Sequence, residues 1–417
     1  MKRYDLIVTG GGISGVAAAT SAARAGLSVL LIEQTGTLGG AMSASLVYPF
    51  MRHTIRANGK RYPLSAGIFS EMKERFDALG EASWELYKIV FDELLEEAGA
   101  EVLFHAKVFS ATTDQRRVTA LQVATAAGIL ELEADYFIDA SGDGELMAMA
   151  GCEHQVGRES DGYCQPMTTC FRLAGVDVDR FVREEGELQK IYTAEQNAGR
   201  IQNPRENLLV FTGPGAGILH FNTTRIIKHD PTDPFAVSRA ERLARQQVLE
   251  LLQFLRKFSP ACQGATLVSI ANHIGVRESR KLKGVHVLTS EELRGCVQFE
   301  DRIAVGNYDI DIHNPTGTGT YIYSFRMGDY FSIPYRSLLP KEYDNLLVAG
   351  RCLSADHEAH SAVRIMPICA CMGEAAGLAV AVAKESDTNL HTLNVTTLQD
   401  RLRECGAVLE RHDIPNV

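Results

Sequence analysis

A glycine-rich turn near the N-terminus constrains the fold more than any other feature of this chain. A Gly-x-Gly-x-x-Gly motif at residues 10–15 follows a short apolar segment, residues 4–9, that reads as a strand. An alanine-rich segment, residues 16–25, has a helical pattern, and residues 27–32 read as a second strand. A strand, a glycine turn, a helix and a second strand in this order form the βαβ unit that binds dinucleotides.

Each glycine of the motif has a physical role in such a unit. Gly10 makes the tight turn, Gly12 lets a pyrophosphate approach the backbone, and Gly15 lets the helix pack closely on the strand. The start of the helix that follows the turn presents free N–H groups and a positive dipole end to the phosphates. The motif therefore predicts a dinucleotide site, and the alternative is a glycine-rich turn without a ligand.

An acidic residue stands where the motif requires one. Glu33 ends the second strand, 18 residues after Gly15, and Gln34 follows it. A carboxylate at this position accepts hydrogen bonds from the adenosine ribose hydroxyls. It also repels a 2′-phosphate, so the sequence disfavours NADP as the ligand.

A second glycine pair points to a particular dinucleotide. Residues 39–42, Gly-Gly-Ala-Met, resemble the second glycine signature of two-domain flavoproteins that bind FAD. Those proteins also have a late strand that leads into Gly-Asp, and a C-terminal Ala-Gly that precedes a helix aimed at the flavin. Residues 137–143, 349–351 and 364–377 match these features. The predicted FAD-binding residues are Gly10, Gly12, Ile13, Ser14, Gly15, Glu33, Gln34, Gly39, Gly40, Ala41, Met42, Val108, Ala140, Gly142, Asp143, Gly350, Arg351, Ile365 and Met366.

On these motifs the chain is identified as a member of the bacterial FAD-dependent oxidoreductase family, a relative of the fumarate reductase and succinate dehydrogenase flavoproteins. The resemblance implies hydride transfer between flavin N5 and a small, anionic substrate. The Ser-His-Thr motif of covalent flavin attachment is missing, and residues 52–54, Arg-His-Thr, are its nearest approach. Non-covalent FAD is therefore expected.

The predicted fold class is α/β. A Rossmann-type, glutathione-reductase-like FAD-binding domain is expected over residues 1–158 and 340–417. Between them, residues 159–339 are expected to form an inserted α+β substrate domain without a second dinucleotide motif. The glycines at 213–217 flank a proline and precede a strand, so they predict a turn.

The predicted catalytic residues are His360, Arg364, His357 and Arg277. In fumarate reductase relatives, an arginine that acts as the general acid and a nearby histidine lie beside the flavin, in the segment that corresponds to residues 349–364. The resemblance therefore implies proton transfer by His360 or His357 and anion binding by Arg364. An alternative is that Arg364 only pairs with an acid of its own loop, Asp356 or Glu358.

Other polar segments have two interpretations each. Arg277 and its neighbours up to Arg280 form either a structural ion-pair cluster or part of the site. Asp143 binds the flavin ribityl chain, caps the following helix, or does both. The turn-rich loop Asn314–Gly319 is either a lid or a surface turn. Cys369 and Cys371 lie in a predicted helix and are expected to be buried filler rather than a redox pair.

Composition excludes several partners. The net charge is −10 without a long basic block, which disfavours nucleic acid and anionic membranes. No apolar run is expected to reach the roughly 18–20 residues of a membrane-spanning helix, and a cytoplasmic location follows. Nine scattered cysteines predict neither disulfides nor a metal site. The electron donor or acceptor is not specified, and a homodimer is left open. The rival functions are a flavoprotein with structural, non-redox FAD and an electron-transfer subunit.

Overall fold

The computed structural model describes residues 3–213 and 215–414. Its strands are β1 Arg3–Thr9, β2 Val29–Ile32, β3 Thr54–Ala57, β4 Lys60–Pro63, β5 Glu101–Leu103, β6 Lys107–Asp114, β7 Arg117–Thr125, β8 Gly128–Asp139, β9 His154–Val156, β10 Phe171–Ala174, β11 Val210–Thr212, β12 Ile218–Phe221, β13 Thr266–Ile270, β14 Arg280–Leu282, β15 Arg302–Gly306, β16 Ile310–His313, β17 Thr320–Tyr323, β18 Phe331–Pro334 and β19 Leu346–Val348. Its α-helices are α1 Ile13–Arg24, α2 Ala41–Ala44, α3 Ile68–Ala78, α4 Tyr87–Ala98, α5 Glu145–Met149, α6 Val178–Asn197, α7 Pro234–Phe258, α8 Ser290–Arg294, α9 His357–Val363, α10 Met366–Glu385 and α11 Val395–Glu404.

The central sheet confirms the predicted α/β class. Its strands lie in the order β5-β2-β1-β8-β7-β6, and β19 also pairs with β8. The pairs β1–β2, β1–β8, β2–β5 and β8–β19 are parallel, whereas β6–β7 and β7–β8 are antiparallel. The parallel strands β1, β2, β8 and β19 end at one edge, where open α/β sheets bind ligands.

Helices α1 and α10 pack so closely that their backbones are in contact. A Cβ atom at Gly373 would lie 2.1 Å from the carbonyl oxygen of Ser14, and one at Gly377 would lie 2.3 Å from that of Ala18. Glycine is therefore required at both positions of α10. This contact fixes the start of α10 beside the start of α1, at the same edge of the sheet.

Helix α10 is the most apolar long helix of the described residues. It is long and apolar enough to cross a membrane by length and composition alone. However, 94% of its apolar window is buried inside the protein. The helix is apolar all round because α1, α3, α11 and β15 surround it.

Helix α10 also buries an acidic side chain. Glu374 is 3% exposed, and both carboxylate oxygens lie 3.2 Å from the backbone nitrogen of Ile68, at the start of α3. Burial raises the Glu374 pKa to about 8. The folded state therefore retains a proton that the unfolded chain releases near pH 4.5.

We expect the stability of the protein to fall as the pH rises from about 5 to about 8, because over this range the folded state binds more protons at Glu374 than the unfolded state does. Glu374→Gln should remove this part of the pH dependence. Urea unfolding of both proteins at several pH values measures the effect. The same slope in wild type and variant would contradict the assignment to Glu374.

The middle of the chain forms a second unit. Its antiparallel sheet has the order β11-β12-β10-β13, and α6 and α7 cover an apolar cluster of its own. In contrast, residues 288–333 contribute side chains to the same apolar cluster as α1 and α10. The packing therefore supports a compact inserted unit of about residues 171–270, within the predicted 159–339.

Candidate active site

A cavity of about 650 Å³ opens at the carboxyl edge of the parallel strands. The glycine turn, β19 and the start of α10 border it, and the second unit and the β16–β17 hairpin close its far side. The predicted cofactor residues that line it are Gly10, Gly12, Ile13, Ser14, Glu33, Gln34, Gly39, Gly40, Ala41, Val108, Ala140, Gly142, Asp143, Gly350, Arg351, Ile365 and Met366. Gly15 and Met42 do not line it.

The three glycines of the first turn have different neighbours. Gly10 has φ +95°, and a Cβ there would lie 2.6 Å from the Ala140 carbonyl oxygen. A Cβ at Gly15 would lie 1.9 Å from the Gly10 carbonyl oxygen, so this glycine serves packing. A Cβ at Gly12 would meet no protein atom closer than 4.0 Å. The space beside Gly12 therefore belongs to the cavity, and a bound group would use it.

The second glycine pair packs directly on the first turn. The backbone nitrogen of Gly39 donates a 2.8 Å hydrogen bond to the Gly11 carbonyl oxygen. A Cβ at Gly40, which has φ +54°, would lie 2.8 Å from the Gly12 Cα. The pair thus forms one wall of the space beside Gly12, and Met42 is buried behind it.

Glu33 is fixed at the edge of the cavity. Its two carboxylate oxygens accept hydrogen bonds from the backbone nitrogens of Gly11 and Thr35, each at 2.7 Å. Each carboxylate oxygen has a second lone pair. Since the side chain lines the cavity, it can accept further hydrogen bonds from ribose hydroxyls.

Two polar groups fit a pyrophosphate and its neighbouring hydroxyls. The Ser14 hydroxyl, at the start of α1, lines the cavity and is buried without a hydrogen-bond partner among the described residues. Asp143 also lines the cavity, and its carboxylate accepts from the Ser279 hydroxyl at 2.6 Å and lies 3.0 Å from Arg351. The N-cap of α5 is Gly144, and no side chain caps this helix. Asp143 therefore does not act as its cap.

The predicted histidines lie outside the cavity lining. His360 is fully buried, one ring nitrogen lies 2.7 Å from the Arg351 carbonyl oxygen, and burial lowers its pKa to about 3. His357 contacts the Glu278 carboxylate at 2.8 Å through Nδ1. Both therefore belong to a buried polar cluster behind the site, in which Lys281 also pairs with Glu278.

Arg364 lines the cavity, and neither acid proposed as its partner binds it. Glu358 pairs with Arg294, and Asp356 accepts hydrogen bonds from backbone nitrogens of its own helix and of Ser290. The Arg364 Nε is buried without a hydrogen-bond partner in the described part of the chain. The guanidinium is therefore available to a ligand.

In the segment from Arg277 to Arg280, some residues form a structural ion-pair cluster and others belong to the cavity. Glu278 is buried in the ion pair, and Arg280 donates to the Asp143 carbonyl oxygen at 3.2 Å. Arg277 lines the cavity and donates to the Pro166 carbonyl oxygen at 2.6 Å. Burial, and then the charges of neighbouring arginines, lower its pKa to about 9.

The β16–β17 hairpin contributes side chains that the sequence analysis missed. Tyr308, Asp311, His313 and Thr320 line the cavity. The Tyr308 hydroxyl donates a 3.0 Å hydrogen bond to Asp311. Asp311 and His313 are two residues apart in a strand and so share a face, which was the available signal.

The protonation of this group follows from its contacts. Arg225 Nη2 lies 3.1 Å from His313 Nδ1, and an arginine only donates, so Nδ1 accepts and the proton is on Nε2. That nitrogen lies 3.6 Å from Asp311. Burial, and then Arg277, lower the His313 pKa to about 3, so the ring is neutral. Burial alone would raise the Asp311 pKa, but His313 and Arg364 outweigh it and hold the group ionised.

The loop Asn314–Gly319 joins the two strands of this hairpin. The carbonyl oxygens of Gly317 and Gly319 accept hydrogen bonds from Arg225 at 3.3 and 3.2 Å. The loop is thus held by a buried side chain of the second unit, and it positions the hairpin over the cavity.

The cysteine pair in α10 lies at and behind the cavity. Cys369 lines the cavity and Cys371 is buried, and burial raises both pKa values, that of Cys369 to about 12. Both are free thiols. High pKa values disfavour thiolate chemistry at neutral pH.

Comparisons with known proteins give the family of the chain. The family model of the FAD dependent oxidoreductases matches residues 5–402. Digeranylgeranylglycerophospholipid reductase 1 of Methanococcoides burtonii is 29% identical over 199 residues, 43% of this chain and 46% of the relative. Digeranylgeranylglycerophospholipid reductase 2 of Methanothermobacter thermautotrophicus is 30% identical over 194 residues, 42% and 48% of the two chains. The match thus spans about half the length of these relatives, and they do not support the expected bacterial origin.

Solved structures resemble the chain more distantly. A geranylgeranyl bacteriochlorophyll reductase-like protein from Thermoplasma acidophilum has a TM-score of 0.47 and 14% identity, over 97% of this chain and 84% of the other. The p-nitrophenol 4-monooxygenase PnpA from Pseudomonas putida DLL-E4 has a TM-score of 0.45 and 11% identity, over 96% and 81%. These likenesses carry no argument about the reaction. The family match covers nearly the whole chain, and on that basis this protein belongs to the FAD-dependent oxidoreductase family.

Proposed function

We propose that this protein is an oxidoreductase that transfers a hydride between FAD and a small anionic substrate held by Arg364. The observation that carries the proposal is the state of that side chain. It lines the cavity, its Nε is buried, and no ion pair or hydrogen bond to it is formed by residues 3–213 and 215–414.

The Arg364 side chain is half-buried, and leaving its buried Nε without an acceptor is costly, because arginine cannot relieve the cost by losing its proton at neutral pH. An anionic ligand removes the cost by pairing with it. Because a planar guanidinium donates two parallel hydrogen bonds to a carboxylate or phosphate, Arg364 would orient the ligand as well as bind it.

The cofactor residues act by binding and orienting. Glu33 would accept from the adenosine ribose, and the space beside Gly12, with the Ser14 hydroxyl and the start of α1, would hold the pyrophosphate. When bound, FAD supplies hydride transfer at N5. The N-terminus of α10, at Ile365 and Met366, borders the cavity and would stabilise negative charge there, since a helix start carries roughly half a positive charge.

Proton transfer is assigned to the hairpin rather than to His357 or His360. Tyr308 is a neutral phenol, because burial and then Asp311 raise its pKa. It is hydrogen-bonded to an ionised carboxylate and faces the cavity, whereas both histidines lie behind the cavity wall. We assign Tyr308 as the group that exchanges a proton with the substrate, positioned by Asp311.

Several finer features belong to the same proposal. Non-covalent FAD is supported by His53, the nearest approach to an attachment residue, which does not line the cavity. The proposed domains are residues 1–158 and 340–417 for FAD and 159–339 for the substrate. Within the latter, about residues 171–270 have their own apolar core, whereas residues 288–333 pack on the FAD domain. Kinship with the fumarate reductase flavoproteins is supported by the arginine that faces the cavity just before α10. A cytoplasmic location and a homodimer complete the proposal.

The test is an anaerobic screen of small metabolites. A metabolite that donates a hydride bleaches the yellow oxidised flavin, and one that accepts a hydride restores the colour of flavin that was first reduced chemically. We expect every substrate found to carry a carboxylate or phosphate group. Efficient turnover of an uncharged or cationic molecule, with no anion active, would contradict the role of Arg364.

We expect NADH and NADPH not to reduce the flavin rapidly. The chain has a single dinucleotide motif, and Gly12 and Glu33 of that motif line the cavity assigned to FAD. Anaerobic stopped-flow mixing measures the rate. Bleaching within seconds at modest NADH would show that a nicotinamide pocket exists elsewhere in the protein.

A further inference from the structure

The sheet of the second unit turns one of its faces toward the cavity. Successive residues of a strand point to opposite faces of a sheet. On one face of this sheet, side chains pack in the unit's own apolar cluster, among them Phe171, Leu219 and Phe221. At the alternate positions, Leu209, Phe211 and Asn222 line the cavity. This second face is therefore one wall of the cavity.

The wall begins at the arginines and continues past them. Asn222 Oδ1 lies 3.5 Å from Arg277 Nη2, and the charge of Arg364 acts on Arg277. The backbone nitrogen of Asn222 donates a 2.9 Å hydrogen bond to the Leu209 carbonyl oxygen. Phe211 is two residues farther along the same strand, which is roughly 6–7 Å. The wall thus changes from polar to apolar with distance from the arginines.

Two aromatic rings at the apolar end are held in place by rings behind them. Tyr48 stacks on Trp84 with centroids 4.4 Å apart, and its hydroxyl donates to the Trp84 carbonyl oxygen at 2.9 Å. Trp84 meets His220 edge-on at 5.4 Å, and the His220 ring lies 6.2 Å from that of Phe211. Tyr48 and Phe211 are the two members of this cluster that line the cavity.

Other apolar side chains complete this end of the cavity. Ile322 of β17 lines the cavity and is 58% exposed, so its surface is in contact with water. We call this end the aromatic slot, and its lining residues are Tyr48, Pro49, Leu209, Phe211 and Ile322. A ligand that only carried a charge for Arg364 would leave the slot wet. A ligand with an apolar part would gain free energy in proportion to the area that it covers.

The slot favours a flat ring over a flexible chain. Aromatic rings attract one another beyond the gain from buried area. A chain also loses torsional freedom when it is ordered between fixed walls, whereas a ring is rigid before it binds.

We infer that the substrate is an aryl-substituted carboxylic acid, whose carboxylate pairs with Arg364 and whose ring lies in the aromatic slot. This inference rests on the proposed function and deepens it, because it names the substrate class. Phe211 is then a specificity-determining residue, which binds the ring and takes no part in the hydride or proton transfer.

The test compares carboxylic acids on the FAD-loaded protein. Benzoate, phenylacetate and 3-phenylpropionate place the ring at increasing distance from the carboxylate, acetate lacks the ring, and hexanoate replaces it with a chain. Calorimetry and the shift of the flavin absorption band both report binding. We expect the best-fitting aryl acid to bind about 10–100-fold more tightly than acetate, the usual value of burying one aromatic group, and more tightly than hexanoate.

Phe211→Ala assigns the ring to the slot. The variant should lose most of the preference for the aryl acid, while its affinity for acetate stays that of wild type. Phe211→Leu, which keeps apolar area without a ring, should recover only part of the preference. Phe235→Ala is the control, since it removes a 75% exposed phenylalanine of the same unit that does not line the cavity. FAD content and melting temperature check the folding of all three variants.

Three results would overturn the inference. They are aryl acids that bind wild type no more tightly than acetate, hexanoate that binds as tightly as the best aryl acid, and a preference that persists in Phe211→Ala. The proposed function fails separately: if Phe211→Ala loses the preference but Arg364→Gln binds every acid as wild type does, the slot stands and the role of Arg364 is rejected. If no acid binds wild type, both are rejected.

Discussion

Gly12→Val is expected to give a folded protein that retains less FAD than wild type. A Cβ at this position meets no protein atom closer than 4.0 Å, and the Gly12 φ of −66° is accessible to any residue. The valine methyl groups would therefore occupy the space assigned to the pyrophosphate, without straining the apoprotein. Overpacking of this kind costs about 1–3 kcal/mol, which weakens FAD binding roughly 10–100-fold.

The measurement is the flavin content of the purified variant, with circular dichroism as the check on folding. Gly10→Ala is the comparison, because its Cβ would lie 2.6 Å from the Ala140 carbonyl oxygen and its φ is +95°. That variant should lose stability as well as FAD. A Gly12→Val protein that is as yellow as wild type would show that the cofactor lies elsewhere.

Arg364→Gln is expected to keep FAD bound and to slow flavin reduction by the substrate about 10²–10⁴-fold, the usual loss for an electrostatic or acid–base group. The variant removes the free guanidinium that faces the cavity and leaves the glycine turn and Glu33 intact. Arg364→Lys should recover only part of the rate, because an ammonium group cannot form the bidentate pair.

Rapid-reaction kinetics under anaerobic conditions measure this effect. Arg294→Gln is the matched control, since it removes a neighbouring arginine that pairs with Glu358 and does not line the cavity. The flavin of this control variant should be reduced at nearly the wild-type rate. If the substrate reduces the flavin of Arg364→Gln at the wild-type rate, the assignment of the substrate side of the cavity is rejected.

More of the predicted cofactor residues than of the predicted catalytic residues line the cavity, and the reason is physical. Gly10, Gly12 and Glu33 lie in one βαβ unit whose local geometry follows from short-range rules. The chain segments that end at Asp143 and Gly350 could be placed because each follows an apolar strand of the same sheet. In all these cases, position along the chain determines position in the fold.

The substrate side depends on contacts between distant segments. His357 and His360 lie in the short helix α9, and packing against Glu278 and the Arg351 carbonyl determines that they face away from the cavity. Spacing within α9 carries no information about that packing. Tyr308 and Arg364 lie more than fifty residues apart in the sequence, and only the fold brings them to one cavity.

A crystal structure of the FAD-loaded protein with a small bound carboxylate tests the central claim most directly. The account predicts the adenosine ribose on Glu33, the pyrophosphate beside Gly12 and the flavin ring at the start of α10. It also predicts a carboxylate of the ligand on Arg364. A flavin ring placed away from Ile365 and Met366, or an anion bound without contact to Arg364, would contradict it.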